Sequence, residues 1–82
     1  MLKLRMDRDI CETAILYHLT ENRGLTPVLE TDADLIEWTV WSIRDLAGML
    51  DDSEALLVAI DGDGVVIGGD TLVIDAVRQY ML

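Results

Sequence analysis

Residues 31–50, TDADLIEWTVWSIRDLAGML, form the longest helix-periodic stretch of the chain and carry both tryptophans, Trp38 and Trp41. Thr31 suits the N-cap position because its hydroxyl can accept from the free N–H groups of the first turn, and Asp34 stands in the capping-box position. Asp32 and Asp34 also place negative charge at the positive end of the helix dipole. The stretch therefore predicts a helix capped by Thr31, around which the rest of the chain is organised.

The wheel of this predicted helix has one broad apolar arc. At about 100° per residue, its apolar side chains cover roughly 200°, which is wider than a surface helix needs. The width predicts a central helix contacted on two sides, or one that also meets a second subunit. The arc consists of Ala33, Leu35, Ile36, Trp38, Val40, Ile43, Leu46, Ala47, Met49 and Leu50.

Trp41 lies on the opposite arc, among charged side chains. One interpretation is that a neighbouring segment covers the ring, since large aromatics are mostly buried. The other is that Trp41 anchors a binding interface with a charged rim, because Trp is enriched at binding hot spots. On that interpretation the interface residues are Trp41, Glu37, Asp34, Asp45 and Arg44.

The length and composition predict one small domain, residues 1–82. A chain of 82 residues buries only about 60% of its unfolded surface, so its stability alone is modest and a homodimer is an open alternative. Its apolar fraction of 51% and mean hydropathy of +0.30 argue against disorder.

Sixteen acidic residues against six basic ones give a net charge of −10 and a pI near 4.1. Such a field repels nucleic-acid phosphates and anionic membranes and attracts basic surfaces of other proteins. The expected partner is therefore a protein with a basic surface, with no direct nucleic-acid or membrane binding. The alternative is that the acidity only maintains solubility or reflects a salt-rich habitat.

The residues given predict neither secretion nor membrane insertion. Cys11 is the only cysteine, and the first five residues are too charged for a signal sequence. The longest apolar run, residues 55–60, is far shorter than the roughly 20 residues of a membrane span. We expect a cytoplasmic protein.

The N-terminal third predicts a helix and a loop. Residues 1–6 alternate like a short strand but equally suit a frayed arm. Asp7 or Asp9 caps a helix running to about Arg23, and Gly24 suits the left-handed residue at its end. One side of this helix includes Cys11 and Ile15, the other Ile10, Ala14 and Tyr17, and both are expected to pack. Residues 25–30, around Pro27, form a loop.

The C-terminal third predicts a β-hairpin and a helix. Residues 51–53 break the helical pattern, and residues 54–60 form an apolar strand. Asp61, Gly62, Asp63 and Gly64 form a tight turn, and residues 65–67 return as a second strand. Asp70 then caps a helix within residues 72–82, although residues 71–75 also suit a third strand.

The hairpin turn also invites two chemical interpretations. VAIDGDGVV resembles the Asp-x-Asp nucleophile motif of haloacid-dehalogenase-type phosphatases, which implies catalytic roles for Asp61 and Asp63. Such enzymes need a downstream lysine, and the only lysine here, Lys3, is upstream. A calcium loop would need oxygen ligands where Val65 and Leu72 stand. We therefore predict no enzyme, cofactor or metal site, including any at His18 and Cys11.

The predicted fold is a small α+β domain with two helices, a β-hairpin at about residues 55–67 and a C-terminal helix. The order helix, extended segment, helix and hairpin resembles that of winged-helix domains. Residues 38–50, the recognition region in that resemblance, offer one arginine to nucleic acid, where phosphate and base contacts need several basic or amide side chains. A winged helix of this sequence is therefore expected to bind protein.

Two functional hypotheses follow. The first is a small acidic interaction module, an inhibitor or regulator that binds a basic, nucleic-acid-binding surface of a larger protein. In composition it is similar to phage anti-defence proteins such as anti-CRISPR proteins, and to DNA mimics. The second is a self-associating, winged-helix-like transcription-associated or structural module whose acidity is incidental. A third, an enzyme or metal protein using Asp61, Asp63 and Asp70, has little support from the residues.

Overall fold

The computed structural model describes residues 1–49 and 55–82. Within these residues it is an α+β fold, as predicted, and three helices accompany a three-stranded antiparallel sheet. The predicted break at residues 51–53, and Leu50 and Glu54 beside it, lie outside the described residues. The elements are β1 (Leu2–Asp7), α1 (Arg8–Tyr17), a π-helical segment (His18–Asn22), α2 (Asp32–Ala47), β2 (Leu56–Asp61), β3 (Gly64–Gly69) and α3 (Thr71–Tyr80).

The predicted capping of α2 is confirmed. The Asp34 N–H donates to Thr31 Oγ1 at 3.1 Å, and the Thr31 N–H donates to Asp34 Oδ2 at 3.1 Å, which completes the capping box. At the other end Gly48 adopts φ 69°, and the Met49 N–H donates to the Arg44 carbonyl at 2.9 Å. This glycine-centred C-terminal motif ends the helix at Ala47, before the end of the periodic stretch.

Strand β3 is the centre of the sheet, which has the order β1-β3-β2. The predicted hairpin is confirmed. Its two-residue turn has positive φ at Gly62, 59°, and not at Asp63, the signs of a type II′ turn. β3 continues beyond the predicted end to Gly69. The N-terminal residues form a strand rather than an arm, since β1 pairs with β3 from Leu2 opposite Gly69 to Asp7 opposite Gly64.

All three helices pack on one face of the sheet. Apart from Leu2 at the start of β1, the side chains that alternate toward that face are buried or half-buried, whereas Lys3, Arg5 and Leu57 on the other face are exposed. α1 contacts β1 and β3, α2 contacts β2, and α3 contacts β3 and β1. The sheet's contribution to the core is Leu4, Met6, Leu56, Val58, Ile60, Val65 and Ile67.

The buried face of α2 differs from the predicted apolar arc. Thr39 and Ser42 are fully buried, whereas Ala33 is exposed and Trp38 is only half-buried. Thr39 is accommodated because its Oγ1 lies 3.6 Å from Cys11 Sγ on α1. Burial raises the pKa of the Cys11 thiol, an effect that the hydrogen bond with Thr39 partly offsets.

The predicted helix to Arg23 is interrupted. Regular α-helix ends at Tyr17 and continues as the π-helical segment, after which Gly24 turns the chain with φ 64°. Asp7 precedes α1 without a side-chain capping bond. The expectation that both apolar sides of this helix pack is wrong for the second side, because Ile10 and Tyr17 remain exposed and Ala14 is half-buried.

Helix α3 begins where β3 ends. Asp70 caps it, as predicted, with Oδ1 accepting from the Val73 N–H at 3.1 Å. Residues 71–75 are therefore helical, and the third-strand alternative is wrong. The first turn of α3 packs so closely on β3 that a Cβ built on Gly69 would lie 2.6 Å from Val73 Cβ.

We predict that Gly69→Ala destabilises the protein by about 1–3 kcal/mol, because the added methyl must displace the fully buried Val73. Gly64→Ala is the matched control. Its methyl would meet only the end of the Arg5 side chain, which can move into solvent. Urea denaturation of both variants measures the difference, and equal free energies of unfolding would contradict the close packing of α3 on β3.

Candidate functional site

Four of the five predicted interface residues line one open groove on α2. They are Glu37, Trp41, Arg44 and Asp45, together with Val40 and Met49, and the groove has a volume of about 400 Å³. They share the groove because positions three and four residues apart lie on the same side of a helix. Asp34 does not line it, since its carboxylate caps the helix and accepts from the N–H groups of Glu30 and Thr31.

Trp41 lies partly covered and partly exposed. Its ring packs edge-on against Trp38 with centroids 5.9 Å apart, and tilted against His18 with centroids 6.3 Å apart. Its exposed fraction is nevertheless 40%, so the neighbouring segment that carries His18 covers the ring only in part. The two aromatic neighbours fix the ring's orientation while leaving much of its surface free for contact.

His18, Arg23 and Asp45 form a polar cluster beside Trp41. Asp45 Oδ2 accepts from His18 Nε2 at 2.6 Å and from Arg23 Nε at 2.8 Å, while Asp45 Oδ1 accepts from Arg23 Nη2 at 3.1 Å. On its other side His18 Nδ1 accepts from the Asn22 amide at 3.2 Å, because an amide nitrogen can only donate. Both ring nitrogens of His18 are therefore hydrogen-bonded. The cluster attaches the π-helical segment to α2.

This cluster gives Asp45 a structural role, so its carboxylate is not a free charge at the rim of the groove. Burial alone raises the pKa of Asp45, but the hydrogen bonds from Arg23 and His18, together with the Arg23 charge, outweigh it and leave the pKa below its ordinary value of 3.8. Three-quarters of the side chain is buried. In the groove, Glu37 is therefore the exposed carboxylate without an ion pair to any other described residue.

Because its folded-state pKa is lowered, Asp45 contributes stability that is present above its unfolded pKa and lost as the pH falls through the folded value. We predict that Asp45→Asn lowers the free energy of unfolding at pH 7 by about 1 kcal/mol, because the hydrogen bonds from Arg23 and His18 would then reach a neutral acceptor instead of a charged one. The difference from wild type should vanish well below pH 3.8, where Asp45 is itself neutral.

Urea denaturation from pH 7 downward measures this dependence. The control is Asp75→Asn, since Asp75 is exposed on α3 and pairs with no other residue in the described ranges. Asp75→Asn should show the same loss of unfolding free energy with falling pH as wild type. If the free energy of unfolding of Asp45→Asn lies below that of wild type by the same amount at all pH values, the charge of Asp45 does not contribute to stability.

The carboxylates of the hairpin turn face an arginine. Asp61 and Asp63 lie 3.9 and 3.2 Å from the Arg5 guanidinium on the outer face of the sheet, and all three side chains are solvent-exposed. Asp70 is occupied by capping α3. Within residues 1–49 and 55–82, no three His, Cys, Asp or Glu side chains converge as a metal site would require.

A second groove lies between α1 and the end of α3, with a volume of about 490 Å³. Its lining is mainly apolar, and its aromatic walls are Tyr17 and Tyr80, exposed by 64% and 54%. Sequence reasoning missed this groove, although the second apolar side of α1 and the apolar stripe of α3 were its signals. The other lining residues are Asp9, Ile10, Thr13, Ala14, Met81 and Leu82.

The unpaired negative charge is distributed over the surface. Arg5, Arg8 and Arg23 each contact a carboxylate within 3.2 Å or less. Asp9 lines one groove and Glu37 the other, and both belong to a set of six exposed carboxylates that form neither an ion pair nor a helix-capping hydrogen bond with another residue of the described ranges. The six are Asp7, Asp9, Glu21, Glu30, Glu37 and Asp75.

None of the helices that the structure describes is long and apolar enough to cross a membrane. No protein-family model matches the chain, and neither a curated protein nor a solved structure matches it significantly. The winged-helix resemblance therefore stays one of element order, to which β1 adds a strand.

Proposed function

We propose that the chain is a small acidic protein-binding module that docks through the α2 groove onto a basic surface of a larger protein. The observation that carries the proposal is Trp41, an aromatic ring 40% exposed in an open groove of a chain with net charge −10. Exposed Trp is costly to leave in water and is the residue most enriched at binding hot spots.

The orientation of Trp41 before binding supports this role. Its contacts with Trp38 and His18, and the hydrogen bonds that hold His18, reduce the side-chain entropy that docking would otherwise cost. Arg44 and Glu37 flank the ring, and the apolar surfaces of Val40 and Met49 lie beside it. Such a mixed groove suits a partner segment with an apolar contact and a neighbouring basic side chain.

The six unpaired carboxylates support a basic partner. Their combined field accelerates association with positive surfaces and opposes association with phosphates. A surface that normally binds nucleic acid has the required charge, so inhibition by occupying such a surface is the proposed mode of action. This is the mode of DNA mimics and of some phage anti-defence proteins, including anti-CRISPR proteins, with which the chain shares small size and acidity.

We predict that Trp41→Ala weakens partner binding by roughly 30-fold, since a hot-spot aromatic contributes about 2 kcal/mol or more and each 1.4 kcal/mol is tenfold in Kd. Tyr80→Ala is the matched control, because Tyr80 is likewise an exposed aromatic but lies in the other groove. It should bind like wild type.

The measurement begins with affinity capture from lysates of the source cell or its host, and continues as titration calorimetry with the purified partner. Binding should weaken as salt shortens the Debye length from about 30 Å at 0.01 M to about 3 Å at 1 M, and nucleic acid should compete for the partner. The proposal would be overturned if Trp41→Ala bound the partner with wild-type affinity, or if binding were insensitive to salt.

A further inference from the structure

The two edges of the sheet are built differently. The β1 edge carries the exposed Lys3 on its outer face, a residue type that discourages pairing with another strand, whereas the Arg5 guanidinium reaches across the sheet to Asp61 and Asp63. The β2 edge has no charge, proline or irregular pairing from Leu56 to Ile60, and Leu57 is 46% exposed on its outer face. The β1 edge is thus protected against pairing, and within the described residues nothing comparable protects the β2 edge.

The hairpin register determines which backbone groups of β2 are free. Asp61 and Gly64 flank a two-residue turn and so form a hydrogen-bonded pair, after which hydrogen-bonded and non-hydrogen-bonded pairs alternate. Leu57, Ala59 and Asp61 therefore direct their N–H and C=O groups to β3. The groups of Leu56, Val58 and Ile60 point away from the sheet, and no backbone hydrogen bond from another described residue reaches them.

We infer that this edge pairs with β2 of a second copy, in antiparallel orientation about a two-fold axis at Val58, and joins two sheets into one of six strands. Leu56 would face Ile60 of the other copy and Val58 its own equivalent. Each of these three hydrogen-bonded pairs exchanges two bonds, so about six inter-chain hydrogen bonds would satisfy the edge.

The charge pattern of β2 fits a second copy. In this register Leu57 lies opposite Ala59 on the outer face, and Asp61 lies opposite Ala55 rather than another carboxylate. The two Asp61 residues are six positions apart, about 20 Å at the antiparallel rise of 3.4 Å per residue. That distance exceeds the Debye length of about 8 Å at physiological ionic strength, so the paired strands themselves add little repulsion.

The neighbouring helices would add to the contact. A two-fold axis perpendicular to the sheet places both helical layers on the same side, and α2 is the helix that contacts β2. The two α2 helices would therefore become neighbours. Whole-molecule repulsion between copies of charge −10 opposes the pairing, so association should be concentration-dependent and strengthened by salt. This is the opposite of the salt dependence of the proposed partner binding.

Sedimentation velocity over a range of protein concentrations, at about 0.01 M and 1 M salt, tests the association. We expect a dimer whose fraction rises with concentration and salt. Leu57→Lys should weaken the dimer more than tenfold, because it places an edge lysine where β1 has one. Leu82→Lys is the matched control, the same substitution at a site 58% exposed in the α1–α3 groove, and should leave the dimer intact.

Residue-resolved amide exchange by NMR tests the register without a mutation. The amides of Leu57, Ala59 and Asp61 should be protected at every concentration, and those of Leu56, Val58 and Ile60 only as the dimer forms. A monomer at all concentrations in high salt would overturn the inference. So would dissociation by Leu82→Lys but not Leu57→Lys, protection of the Val58 amide in the monomer, or protection gained only with a different protein bound.

Discussion

The pairing of β3 with β1 is the constraint on which the rest of the structure depends. It joins the first residues of the chain to residues 64–69 and places the fully buried Val65 and Ile67 opposite Met6 and Leu4. Closing so long a loop costs entropy that only the accumulated contacts of the intervening helices and of β3 can offset. The glycines of β3 assist: without a Cβ at Gly68 or Gly64, the side chains of Met1 and Arg5 can lie across the outer face.

The features of this fold that could be predicted from the sequence are those formed by residues close together in the chain. The capping box of α2, the Asp70 cap of α3 and the hairpin turn each depend on residues within four positions of one another, and all three were confirmed. β1 could not be distinguished from a frayed arm because its partner strand is distant in sequence. The burial of Thr39 against α1 and the attachment of the π-helical segment to α2 likewise involve residues distant in sequence, which no local pattern contains.

For the candidate site too, only the features that depend on local sequence could be predicted. Periodicity alone placed Glu37, Trp41, Arg44 and Asp45 on one side of α2, and they do share a groove. It could not show that Asp45 is held by Arg23 and His18, since those residues follow a different helix. The α1–α3 groove was missed for the same reason. The apolar stripes of α1 and α3 could be recognised in the sequence. That they lie side by side and line an open groove depends on the tertiary packing.

Under the proposed function, stability and recognition are coupled through His18. The same imidazole that donates to Asp45 also contacts the Trp41 ring, so the cluster that attaches the π-helical segment to α2 also orients the candidate anchor. Loosening the cluster would leave Trp41 more mobile and make docking entropically more costly, even with every groove residue present. A binding defect after substitution at Arg23 or His18 would therefore report lost orientation of the ring rather than a lost contact with the partner. Trp41→Ala removes the contact itself, so comparing the two separates anchoring from preorganisation.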